Sequence, residues 1–140
     1  MSITSQKPKN KSTVAIQYLK GEVHHEDFTA KVFSIELING KWRMFGSKID
    51  AGGTTYKIQL DIPETYKKGV YKLQDHPGIA ITYSTTHLED PLLKYVGQGL
   101  LDLIEVDADN RHVSGGLAGG ITKEDGDGRV FTVDFLFSFG

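Results

Sequence analysis

The sequence predicts an all-β fold: an antiparallel β-sandwich or partly closed β-barrel of about eight to ten strands. Three observations carry this. From Val14 onward apolar residues recur at every second position, not every third or fourth. Gly, Asn and Asp break the apolar runs at short spacing. No segment is long enough for helical crossovers, so neighbouring strands should run antiparallel. The 140 residues make one domain at residues 14–140 behind a flexible, polar lead-in at residues 1–13.

The strands follow in order. Val14, Ile16 and Tyr18 share one face of a first strand. Across Phe28–Ile38 the apolar phase shifts between Val32 and Phe33, for which a bulge is the simplest cause. Asn39-Gly40 leads into a strand marked by Trp42 and Met44, and Asn-Gly between apolar runs is a strong hairpin signal. Tyr56, Ile58 and Leu60 alternate with Lys57, Gln59 and Asp61. Pro63–Lys68 has room for one helical turn before a short strand at Gly69–Gln74. Ile79, Ile81 and Tyr83 form another alternating row. Asp90-Pro91 could open a short helix ending near Tyr95. Gly97–Asp107 and Arg111–Ile121 read as a pair around the turn Asp107-Ala108-Asp109-Asn110. The run Gly115–Gly120 implies a bulge, a bend or close backbone approach. Lys123–Gly128 is a polar turn. The clearest strand is Arg129–Phe139, with Phe131, Val133, Phe135, Phe137 and Phe139 on one face.

Composition narrows the function classes. Sixteen basic and 18 acidic residues give a net charge of −2, too weak a field to argue for nucleic-acid binding. The lead-in holds Lys7, Lys9 and Lys11, so residues 14–140 carry 13 basic and 18 acidic groups. The absence of cysteine excludes disulfides, thiolate catalysis and thiolate-ligated metals. No stretch approaches the roughly 18 apolar residues of a membrane-spanning helix. Met1 through Pro8 lacks a signal-peptide core, so the chain as given is expected to be cytoplasmic. An envelope or secreted location would require a removed leader. The terminal aromatic row resembles the last strand of an outer-membrane barrel, but short strands and interrupting charges argue against that.

Several constellations invite chemistry. His24, His25, Glu26 and Asp27 form two imidazole–carboxylate pairs that need a further ligand to hold a metal; the plainer reading is a polar turn before Phe28. Asp107/Asp109 and Asp125/Asp127 begin like calcium loops, but Arg111 and Arg129 stand where a ligand belongs and no glutamate closes either loop. Gly115–Gly120 lacks the following helix that a phosphate cradle uses. Ser114 and His112 share a strand face without a third orienting group. No catalytic residue and no cofactor motif is assigned. Trp42, Tyr66, Tyr71, Tyr83 and Tyr95 are the candidate ligand-binding residues, as aromatics suited to a sugar or small molecule, although such residues also build a sandwich core.

Three segments together resemble a group of small bacterial all-β domains of unknown function, often envelope lipoproteins. They are Thr29-Ala30-Lys31-Val32 leading to Asn39-Gly40-Lys41-Trp42; Tyr56–Leu60 with Gly69–Leu73; and Val106-Asp107 through His112-Val113-Ser114-Gly115 to Val130–Val133. The resemblance spans residues 28–140 and implies no catalytic residue; the chain lacks the group's lipobox cysteine. The expectation is a non-enzymatic binding or interaction module for a glycan, a small amphipathic molecule or a protein partner. A structural role through edge-strand pairing, as in a homo-oligomer, is the first alternative. A small barrel-type hydrolase or isomerase using His112, His76 or His87 with a carboxylate is the second.

Overall fold

The computed structural model describes residues 16–86, 92–123 and 130–140. The lead-in, Val14, His87, the proposed helix start at Asp90-Pro91 and the acidic turn at Asp125/Asp127 lie outside them.

The chain is a two-layer antiparallel sandwich rather than a closed barrel. The strands are β1 (Tyr18–Val23), β2 (Glu26–Thr29), β3 (Val32–Ile38), β4 (Lys41–Ile49), β5 (Thr55–Pro63), β6 (Gly69–Lys72), β7 (Ala80–Thr86), β8 (Leu92–Tyr95), β9 (Gln98–Asp107), β10 (His112–Lys123) and β11 (Val130–Phe139). One sheet has six strands in the order β2-β1-β11-β10-β9-β6; the other has five in the order β3-β4-β5-β7-β8. The only helix among the described residues is a single 3₁₀ turn at Leu73–Asp75.

Burial follows the period of two. Val133, Phe135, Phe137 and Phe139 of β11 are buried against Trp42, Met44, Ile58, Leu60, Ile62 and Ile81 of the facing sheet, while Val130 and Leu136 look outward. Removing these rows from water supplies the driving force for stacking the sheets. The two layers are also tied at one edge. Lys48 of β4 donates to the Asp27 carbonyl at 3.1 Å, and its ammonium lies over the Phe28 and Tyr56 rings.

The turns obey backbone sterics. Asn39 and Gly40 both have positive φ, at 52° and 76°, as a two-residue type I′ hairpin requires. His24 and His25, at 51° and 70°, make the same turn between β1 and β2 without a glycine. The glycine run does bend β10: its register against β11 shifts between Leu117 and Gly120, where Gly119 has φ 65°.

Five expectations need correction. The inward row of β1 is Leu19, Gly21 and Val23, and Ile16 and Tyr18 are exposed; a glycine in the middle of that row hides its alternation. The phase shift after Phe28 is not a bulge. The chain leaves the six-stranded sheet at Ala30-Lys31 and enters the five-stranded one, so the direction of the core changes. Pro63–Lys68 makes a turn closed by the Tyr66 N–H donating to the Pro63 carbonyl, not a helix. Leu92–Tyr95 is a strand paired with β7, because the open edge of the sheet supplies backbone partners that four residues cannot provide for themselves. Finally, the described residues hold eleven strands, since the short edge strands β2 and β8 are separate elements.

Candidate functional site

The five aromatic candidates do not converge. Trp42 is 1% exposed and Tyr83 is 6% exposed; both belong to the core. Tyr95 is 65% exposed on edge strand β8. Only Tyr66 and Tyr71 meet, stacked at 5.0 Å with the His76 ring edge-on to both. Their hydroxyls are engaged, Tyr66 with His76 Nδ1 at 3.2 Å and Tyr71 donating to the Lys67 carbonyl at 2.6 Å. Such a cluster braces the turn that leads into β6. These residues therefore make no flat aromatic platform.

Burial of Tyr83 has an electrostatic consequence. It pushes the phenol from 10 up to about 12, with smaller contributions from Tyr56 and Glu26. The neutral form is the one the fold prefers, so its contribution is full below pH 10 and is lost as pH rises from there through about 12. A two-unit difference corresponds to about 2–3 kcal/mol. Tyr83→Phe is expected to flatten that part of the alkaline unfolding curve, measured by urea denaturation between neutral and strongly alkaline pH. An unchanged alkaline limb would show that this phenol is not held neutral.

The described histidines at the first hairpin and after β9 make contacts within the fold. His24 stacks on Phe131 at 4.7 Å, and His25 is the second turn residue beside it. Glu26 and Asp27 continue into β2 on opposite faces. Among the described residues no three His, Asp or Glu side chains are placed to hold a metal ion. In the turn after β9, Asp107 accepts from the Asn110 side chain at 2.7 Å and from its backbone N–H, which holds the Asp107 carboxyl below its ordinary value. His112 Nε2 meets Glu105 Oε1 at 2.8 Å, while its Nδ1 is buried with no partner. The imidazole therefore does not reach the Ser114 hydroxyl, and the nucleophile–base bond of a hydrolase is not formed there.

A different surface is built for contact. On the outer face of the six-stranded sheet, Leu136 of β11, Leu100 and Ile104 of β9 and Val70 of β6 are between 44% and 63% exposed. Together with the Asp102 carboxylate of β9 they surround a shallow depression of about 300 Å³ whose floor is Gly116 and Ala118 of β10. The floor is low because Gly116, which faces outward, has no side chain, and because the β10 bulge follows it. The depression continues across β11 into a wider one of about 660 Å³, lined by Lys20, Glu22, Asp27, Thr29 and Asp134 and sharing Ala118 and Leu136. The whole is an open trough with an aliphatic end and a charged end. Sequence reasoning passed over these residues, although Val130 and Leu136 on the polar side of the last strand were a signal.

Comparison of the chain with protein-family models, curated proteins and solved structures finds no match. No helix of the described residues is long and apolar enough to cross a membrane.

Proposed function

We propose that the protein is a non-enzymatic binding module that takes a small amphipathic molecule in the trough on the outer face of its six-stranded sheet. The observation that carries this is the aliphatic group Val70, Leu100, Ile104 and Leu136 around a glycine floor, continuous with a charged end. Clustered exposed aliphatics cost solubility and mark contact surfaces. An amphipathic ligand is favoured over a bare glycan because a sugar-binding face would present flat aromatic rings, and here Trp42 and Tyr83 are turned into the core. Edge-strand assembly is less supported at three of the four edges: β2, β6 and β8 are only four residues long, and β8 turns Lys94 inward, features that blunt pairing between sheets, whereas edge strand β3 is seven residues long.

The test is a titration of isotope-labelled protein with octyl glucoside below its micelle concentration, followed by amide chemical shifts. Gly116, Ala118, Leu136 and Ile104 are expected to move, glucose alone is expected to move nothing, and Ile104→Asp is expected to weaken binding at least tenfold. Shifts confined to other surfaces, or none at all, would remove the proposal.

A further inference from the structure

Resting on that reading, we infer that the ligand's head group is an organic cation. The charged end of the trough is predominantly acidic, with three carboxylates and one ammonium, that of Lys20. Asp27 of β2 stands directly opposite Glu22 of β1, and Glu22 stands directly opposite Asp134 of β11. Three carboxylates thus form one transverse row on one face of three adjacent strands, with neighbouring strands roughly 4.8 Å apart. Like charges directly opposite each other destabilise a sheet. Among the described residues they are offset only in part, by Lys20 beside the row and by Lys48, whose ammonium donates to the Asp27 carbonyl at 3.1 Å. Neither Glu22 nor Asp27 has an ion pair or side-chain hydrogen bond, and Asp134 accepts one bond, from the Gly119 N–H at 2.6 Å. Lys20 is the only cation lining this end, and its ammonium lies over the Tyr18 ring, 5.7 Å from the centroid.

The next row along the strands sets the ligand's path. Thr29, Lys20, Leu136, Gly116, Asp102 and Val70 are successive cross-strand partners over all six strands. The aliphatic end therefore lies beside the acidic row, not on another face. From Asp134 on β11 to Leu100 on β9 is two strand spacings, roughly 10 Å, within the span of a medium-length alkyl chain. A head group at the row would place its chain over Gly116 and Ala118. The row is extended rather than convergent and offers no three-ligand metal cluster. It suits a diffuse charge such as a quaternary ammonium or an alkylamine, attracted without chelation.

Three ligands with the same octyl chain separate this inference from the reading beneath it: octyltrimethylammonium, octyl glucoside and octyl sulfate, each below its micelle concentration and titrated by calorimetry. The cation is expected to bind at least tenfold more tightly than the glucoside, with the sulfate weakest. The cation's advantage over the glucoside should shrink as salt is added and fall severalfold in the Glu22→Gln/Asp27→Asn double variant, which keeps the Asp134 and Asp102 carboxylates. Both residues are exposed, and relieving their repulsion is expected to raise the ligand-free Tm. Equal binding of cation and glucoside, a preference undiminished in the double variant, or a fall in its Tm would overturn the cationic head group while leaving the trough standing. Binding of none of the three would remove the binding site itself.

Discussion

Phe137→Ala is expected to lower the unfolding free energy by about 3–5 kcal/mol, the range for truncating a fully buried phenylalanine. The ring has 0% exposure, near the C-terminal end of β11, the strand that lies between β1 and β10. Phe135 and Phe139 flank it, each with its ring centroid 6.0 Å away. The position pairs with Leu19 on one side and Gly115 on the other, and no neighbouring backbone is free to close a void without breaking a ladder. Urea denaturation monitored by far-ultraviolet circular dichroism measures the loss, and Phe137→Leu should recover a large part of it. A loss under about 1 kcal/mol would mean that the two sheets do not share this core.

Gly115→Ala is expected to cost about 3 kcal/mol, at the upper end of overpacking. A Cβ there would collide with the Asp102 carbonyl of β9, and it would also press on the Phe137 ring at 3.2 Å. Strand β10 is hydrogen-bonded on both sides, to β9 and β11, so it cannot step aside. The neighbouring Gly116→Ala is the control. Its Cβ would meet the outer end of the exposed Leu136 side chain at 2.8 Å, which can rotate away, and the Phe135 carbonyl at 3.1 Å, which needs a shift of only a few tenths of an ångström. Thermal unfolding of both variants should therefore show a large loss at position 115 and a small one at 116. Equal losses would indicate a general cost of removing glycine from a strand, not a collision.

These two glycines show how much a linear pattern conveys. Their run announced bends and close approach, and both are present. Nothing in the run said that Gly115 faces a carbonyl of β9 or that Gly116 floors a trough, because those neighbours stand in other strands. The same limit explains the aromatic candidates. Trp and Tyr are enriched in sandwich cores and in binding faces alike, so residue type could not separate Trp42 and Tyr83 from Tyr95. The trough was harder still to read. Val70, Leu100, Ile104 and Leu136 are each a lone outward apolar residue, and register alone collects them. Likewise Glu22, Asp27 and Asp134 look unrelated along the chain until antiparallel pairing lines them up.

What could be read along the chain was whatever depends on a residue's near neighbours. Alternation in β11 follows from pleating, which sends successive side chains to opposite faces. The Asn39-Gly40 hairpin follows from the positive φ that a tight reversal demands. The phase of β1, the strand at Leu92–Tyr95, the passage from one sheet to the other at Ala30-Lys31 and every feature of the trough came from the folded molecule. They depend on which strand lies beside which, a choice made by burying side chains and satisfying backbone hydrogen bonds across long stretches of chain.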